Sequence, residues 1–465
     1  MAHQDTKKTC RRSPSPSSSS DKTACLKDGT DDPFAAPPAL EAQLKRSGAS
    51  ETHLVAFQHG LWGDSTNLHY LANQLYKAHT GVCVLLIKSN EGSFTYDGVE
   101  LCGKRCADEV LSATSLIENL GVRVSKFSFL GYSLGGLITR YAAGILWSAG
   151  YFKERIMMSY TSFATPHLGA TPSTSPVWRT VQETAAVNFL GQTGDDMTFI
   201  PPANAQKPIL ERLADESSVY YKALSGFRKR TLYANVVNDR IVPFYTAYIT
   251  DEDPFADISA VELEFSPTNP SLVVSHRPTT AAPPPSTNTL THIASYTGIG
   301  LLMLAASPVV AGVLAVSGYR AASSRKRVSA LTTATIATEH ESVEETQTED
   351  GDTSFPRTTS ATGELALEAA EDTLGAMVEN PDGLDMDSWS GNRDGALGSH
   401  EQPVTTKVPL DEREKLAVSL NKLSWRKYMA RMRHRRSHAA IVVRERRWED
   451  DGRDVVMHWV GEFEV

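Results

Sequence analysis

The stretch Val124-Ser125-Lys126-Phe127-Ser128-Phe129-Leu130-Gly131-Tyr132-Ser133-Leu134-Gly135 decides the fold. An apolar run leads into a G-x-S-x-G pentapeptide, and Leu137-Ile138-Thr139-Arg140-Tyr141-Ala142-Ala143 leads out of it with helical character. A strand that turns sharply into a helix holds a serine on a strained corner with its Oγ exposed. Glycines are required beside it, where a Cβ would collide with the neighbouring strand or helix. G-x-S-x-G alone arises often by chance, so the strand before and the helix after are what make Ser133 a candidate nucleophile.

Outward from this elbow, the same alternation repeats. Leu54-Val55-Ala56-Phe57 and Val82-Cys83-Val84-Leu85-Leu86-Ile87 are apolar strands, and Leu68, Leu71, Ala72 and Leu75 recur at helical spacing between them. A second helix carries Val110, Leu111, Leu116, Ile117 and Leu120, and Ile156-Met157-Met158-Ser159-Tyr160 is a strand after the elbow helix. Apolar strands alternating with helices imply an α/β fold with a mostly parallel sheet covered on both faces.

The chain has 465 residues, which by length suggests about three domains, but much of it is too polar to enter a core. Its net charge of -9 conceals segregation: residues 339–387 carry fifteen acids and one Arg, whereas residues 422–447 carry ten Lys or Arg and one Glu. Only Trp425 and Tyr428 interleave with the basic run, and no nucleic-acid motif surrounds it, so an anionic lipid surface or a plain solvated face fits it better than nucleic acid. Cys10, Cys25, Cys83, Cys102 and Cys106 form no even disulfide framework, and no apolar segment follows Met1, so a reducing, cytosol-facing site rather than secretion is expected. Cys102 and Cys106 lack companion ligands for zinc, and no metal site is expected.

His59-Gly60-Leu61-Trp62-Gly63 follows the first strand, where an acyl-transfer hydrolase places half of its oxyanion hole. Preorganised N–H donors there are worth roughly 3 to 4 kcal/mol each in the barrier, and the amides of Leu61 and Leu134 are the candidates. His59, Gly60 and Trp62 become candidates for the pocket wall, as does His167, in a structured loop beside it.

With Gly131-Tyr132-Ser133-Leu134-Gly135-Gly136 and Ala164-Thr165-Pro166-His167-Leu168-Gly169, these residues resemble the putative serine esterase family of α/β-hydrolases, most of all the fungal lipid-droplet phospholipases. Tyr233-Ala234-Asn235-Val236-Val237-Asn238-Asp239-Arg240-Ile241-Val242-Pro243 and Ser437-His438-Ala439-Ala440-Ile441-Val442-Val443-Arg444 add to the likeness, which covers roughly 50–260 and 410–465. The resemblance implies an α/β-hydrolase fold and a Ser-Asp-His esterase acting on acyl lipids, needing no metal or organic cofactor.

Read from the residues themselves, Asp239 follows an apolar strand, Leu232 to Val237, at the strand end where α/β sheets place their sites. Asp251 and Asp253 compete, but they lie in a turn-like acidic run. In this fold the base follows the acid in chain order, leaving His276, His292, His340, His400, His434, His438 and His458. His438 has the best setting, delivered by a loop just ahead of Ala439-Ala440-Ile441-Val442-Val443. His458 is its rival and reads as a strand residue.

The long middle is an insertion. Ile293 to Tyr319 carries no charge, and its densest eighteen residues, Ile299 to Val316, would span about 27 Å as a helix, close to a bilayer's hydrocarbon core. Arg320, Arg325, Lys326 and Arg327 follow as a basic flank. A single crossing would separate Asp239 from His438, so a same-side hairpin bent at Pro308 is expected. The domain reading is a disordered tail over 1–50, a core over 51–260 with a cap insertion at 170–230, and a linker over 261–290. An apolar membrane or monolayer hairpin over 291–327, an acidic disordered linker over 328–410 and the C-terminal part of the core over 411–465 complete it. The function expected is hydrolysis of glycerophospholipid acyl esters at a lipid droplet or the cytosolic face of a membrane such as the ER. A neutral-lipid or general carboxylester hydrolase, and a catalytically idle lipid-surface tether, stand as alternatives.

Overall fold

The computed structural model describes residues 32–169, 189–199, 207–239, 241–279, 315–330, 406–407 and 411–465. Numbered in chain order, β3 (Arg123–Tyr132) ends on Ser133 inside an eight-stranded sheet. The spatial order is β2 (Val82–Leu86), β1 (Glu51–Gln58), β3, β4 (Ile156–Phe163), β5 (Lys229–Asn235), β10 (Trp425–Ala430), β8 (Leu272–Pro278) and β7 (Val261–Phe265). The first six strands pair in parallel. β8 and β7 add an antiparallel edge. A second, two-stranded sheet joins β6 (Glu252–Asp253) to β9 (Thr406–Lys407).

The central strands are apolar at successive positions because both faces are covered. Leu54, Ala56, Phe127 and Phe129 point to one core with Val110, Leu137 and Leu224, while Val55, Phe57, Leu130 and Tyr132 point to another with Leu71, Leu75, Val455 and Trp459. Burial of each Val, Leu or Phe among them stabilises the fold by about 1.5 to 3 kcal/mol. The first face carries α3 (Gly98–Asn119), α4 (Leu134–Ser148) and α7 (Val219–Gly226); the second carries α2 (His69–Ala78) and α12 (Glu449–Gly461). The fold is that of an α/β-hydrolase, interrupted by an insertion before its C-terminal strand.

Several segments differ from the sequence reading. The tail assigned to 1–50 includes α1 (Leu40–Ser47), where buried Gln43 caps the sheet edge: its amide donates to Val84 O at 3.0 Å and accepts from Val84 N at 2.7 Å. Residues 261–278, read as linker, are the β7–β8 hairpin; the alternation Val261-Glu262-Leu263-Glu264-Phe265 fits a half-exposed edge strand. Within the cap region, α6 (Ile209–Ala214) and α7 cover the sheet. Tyr220 of α7 stacks on Tyr141 of α4 at 4.5 Å, so this part covers the core rather than gating the site; residues 170–188 and 200–206 lie outside the described residues. Residues 291–314 and nearly all of 331–410 also lie outside them, so the bend at Pro308 and the acidic linker are not described. Among the described residues no helix is long and apolar enough to cross a membrane.

Candidate active site

Ser133 has φ 54° and ψ -129°, a left-handed conformation held because its N–H donates to Phe163 O at 2.8 Å on β4. The corner tolerates no side chains around it. A Cβ on Gly131 would overlap Gly136, one on Gly135 would overlap the Gln58 carbonyl, and one on Gly60 would lie 2.7 Å from Ser133 Cβ. β1 and the start of α4 are thereby brought against the nucleophile, with the His59–Gly63 loop directly over it.

Asp239 lies just past the end of β5, and Asn238 before it adopts a positive φ of 62° that aims the acid inward. Its Oδ1 accepts from the Val242 amide at 2.8 Å and the Ile241 amide at 3.2 Å; its Oδ2 accepts from Asn235 Nδ2 at 2.8 Å and lies 3.0 Å from His438 Nδ1. His438 sits on a one-turn helix, α11 (Ser437–Ala440), after the loop that leaves β10. Its Nε2 is 2.9 Å from Ser133 Oγ. With the proton on Nδ1, the imidazole donates to Asp239 and Nε2 accepts from the Ser133 hydroxyl. Tyr132, next to Ser133, donates its hydroxyl to His438 O at 3.0 Å and lays its ring 5.1 Å from the imidazole, tying the loop that carries His438 to the strand that leads to Ser133.

Leu134 opens α4, so its N–H has no intrahelical acceptor, and the Leu61 amide makes no backbone hydrogen bond among the described residues. Both flank the nucleophile corner. Trp62 takes a left-handed φ of 59°; its amide donates to Thr95 Oγ1 at 3.0 Å and its indole N–H to Tyr96 Oη at 2.7 Å. The chain is thus a mostly parallel sheet with a serine at its elbow, an imidazole and a carboxylate in line behind it, and amides beside it.

Residues 49–251 match the family described as "Putative serine esterase (DUF676)". This match takes in 203 of the chain's 465 residues, and over it the chain is similar to that family. The chain is similar to "Putative lipase ROG1" of Saccharomyces cerevisiae, 31% identical over 202 residues that make up 42% of this chain and 28% of that protein. It is also similar to "Putative lipase C4A8.10" of Schizosaccharomyces pombe, 29% identical over 208 residues, 43% of this chain and 26% of that protein. The chain spans under a third of the length of these curated relatives. Among solved structures, Aspergillus fumigatus lipase B overlaps 48% of this chain and 48% of its own at 15% identity and a TM-score of 0.27, too loose to add to the topology above. The family match ends before His438, so that residue's place beside the matched stretch rests on geometry.

Two pocket candidates, His59 and His167, are buried against the loops that surround Ser133. His59 is fully buried with Nδ1 3.0 Å from Gly60 O, and burial holds its pKa below the usual range, so it shapes the loop as a neutral ring. His167 is 1% exposed, its Nε2 2.9 Å from Ser162 Oγ and its Nδ1 3.4 Å from the buried Arg140, and burial keeps it neutral; it fastens the Ala164–Gly169 loop to α4. Gly60 lies against the nucleophile and Trp62 is half-buried beside it.

Of the competing histidines, His458 lies on helix α12 rather than a strand, its Nδ1 2.8 Å from Tyr233 Oη, far from any role at Ser133. His434 and His276 are exposed, and His292, His340 and His400 lie outside the described residues. Asp253 accepts the Phe255 amide at 3.0 Å in a turn. Among the described residues no group of three His, Cys, Asp or Glu side chains is arranged to hold a metal ion. Tyr132 and Asn235, which hold the base and the acid, escaped the sequence reading although both lie inside its motifs.

Proposed function

We propose that the chain is a serine carboxylester hydrolase of acyl lipids that cleaves acyl ester bonds of glycerophospholipids at a lipid-droplet or cytosol-facing membrane surface. The observation that carries this reading is the continuous line from Ser133 Oγ through His438 to Asp239, at 2.9 Å and 3.0 Å. Ser133 Oγ attacks the ester carbonyl carbon while His438 Nε2 takes its proton, and the amides of Leu61 and Leu134 hold the oxyanion. The bond to the alcohol oxygen breaks as His438 returns the proton to it. Water then attacks the acyl-enzyme, His438 accepts its proton, and the fatty acid leaves as Ser133 Oγ is reprotonated. Asp239 keeps the imidazole in one tautomer and stabilises its charged form without itself being protonated.

Acyl lipid as substrate is supported by the relatives' printed description as putative lipases and by the uncharged stretch from Ile293 to Tyr319. Phospholipid is supported by Arg431 and Arg435, exposed on the loop leading into His438 at the same sheet edge as the nucleophile. Fluorophosphonate labelling tests the serine hydrolase; its absence in the folded wild type would leave an idle tether. Product analysis on a panel of defined phospholipids, triacylglycerols and short esters, with wild type and Ser133→Ala, tests the substrate. Turnover of neutral lipid alone would assign the same machinery to a neutral-lipid hydrolase.

A further inference from the structure

The short turn Gly92–Asp97, just ahead of α3, is where three separate parts of the chain meet. On one side it holds the oxyanion loop through Thr95 and Tyr96, the partners of the Trp62 amide and indole. A left-handed backbone at a bulky residue costs about 1 to 3 kcal/mol and persists only when its surroundings over-determine it, so the set of the loop depends on where this turn sits. A helix over 189–197, α5, reaches the turn through Thr193, whose hydroxyl donates to Thr95 O at 2.6 Å and accepts the Gly98 amide at 3.1 Å.

The third part is a helix described over 315–330, α9, whose first five residues are the last of the uncharged stretch. Ser324 is fully buried and donates to Tyr96 O at 2.8 Å. Arg327 places both arms of its guanidinium on the buried Asp97 carboxylate, at 2.7 Å and 3.2 Å, and donates to Ser93 O at 3.2 Å. Arg105 of α3 takes the same carboxylate at 2.7 Å, and the two guanidiniums flank Phe94. Arg325 pairs with Asp195 of the helix over 189–197 at 3.2 Å. The cations read as a headgroup-facing flank therefore include two that are spent on protein carboxylates.

We propose that α9 is a positioning strap for the oxyanion loop, with Ser324 and Arg327 setting the Leu61 amide through Tyr96, Asp97 and Trp62 although neither touches substrate. The brace comes from far along the chain, 228 positions from Tyr96 to Ser324 and 230 from Asp97 to Arg327. In sequence the helix follows directly on the apolar stretch.

This inference rests on the oxyanion role given to Leu61. The test uses the full chain with p-nitrophenyl butyrate as a soluble ester, so that lipid binding does not enter. Arg327→Ala should lower kcat about tenfold with KM changed less than about twofold, because a misset donor weakens the transition state and not ground-state binding. Arg327→Lys should recover part of the loss by restoring a cation beside the Asp97 carboxylate. Ser324→Ala, which removes one hydroxyl and keeps the fold, should lower kcat about threefold in the same pattern. Wild-type kcat in folded Arg327→Ala and Ser324→Ala, or a loss confined to KM or to melting temperature, would overturn the proposal. A folded wild type that neither labels with fluorophosphonate nor turns the ester over would instead overturn the hydrolase reading itself.

Discussion

His438 Nδ1 lies 3.0 Å from Asp239 Oδ2 across 199 positions of sequence. The contact exists because β10, which leads to His438, is hydrogen-bonded in parallel to β5, which leads to Asp239, with Ala430 opposite Asn235 at the common end. Adjacent parallel strands deliver their following loops to one sheet edge, so the register of one strand pair sets the acid against the base.

Ser133→Ala, Asp239→Asn and His438→Ala should each lower turnover of a soluble ester by about a thousandfold or more while the circular dichroism spectrum is unchanged. Members of such a unit fail together, so Ser133→Ala with His438→Ala should be little worse than Ser133→Ala. Near-normal turnover by His438→Ala alongside an inactive His458→Ala would move the base to the other histidine.

Gly60→Ala should cost about a hundredfold in kcat, since the added methyl would lie 2.7 Å from Ser133 Cβ and must displace either the nucleophile or the oxyanion loop. Labelling by fluorophosphonate should slow in step. Unchanged labelling would show that the loop yields at no cost to the site.

Asp196 offers a test by pH. Burial pushes its carboxyl up to about 6, with Asp195 and Glu100 adding repulsion, against the Val99 amide and Gln192 that hold it down. A raised folded-state pKa means that the ionised form is penalised in the fold: the penalty is complete above about pH 6 and fades as pH falls towards the unfolded value near 4. Two units correspond to about 3 kcal/mol at most. Asp196→Asn keeps an acceptor for the Val99 amide without the charge, so it should melt higher than wild type at pH 7.5, and the gap should close by pH 4. An equal gap at both pH values would remove the carboxylate as its cause.

Deleting residues 293–314 should abolish flotation of the protein with phospholipid vesicles while keeping short-ester turnover within about threefold. Extending the deletion through 330 removes Ser324 and Arg327 and should cost about a further tenfold in kcat. Equal turnover by the two deletions would deny the helix over 315–330 any part in the site.

The elbow was legible because three signals coincide at Ser133: an apolar strand, obligatory glycines and a helical run. The parallel sheet was legible for the same reason, since strands covered on both faces must be apolar throughout. His438 and Asp239 could be found by their place after strands, but not their mutual contact, which depends on β10 inserting beside β5. The β7–β8 hairpin was passed over because an edge strand with Glu262 and Glu264 facing solvent is polar enough to resemble a linker. The burial of His59 and His167 and their Gly60 and Ser162 partners were not legible, because sequence shows that a histidine lies near a motif and not what its ring packs against. Arg327 was unreadable for the converse reason: a cation beside an apolar run suits lipid phosphate and a buried carboxylate equally.

The interposed strand also bears on synthesis. A ribosome delivers β1 to β5 and the β7–β8 hairpin long before β10, yet β10 lies between β5 and β8. Until it arrives, β5 presents an open edge and the hairpin has no place to dock, a state that nascent-chain chaperones are suited to shelter. Ser133 and Asp239 wait meanwhile without an imidazole between them. The hydrogen-bonded line from Ser133 to Asp239 closes only when β10 slots in between β5 and β8.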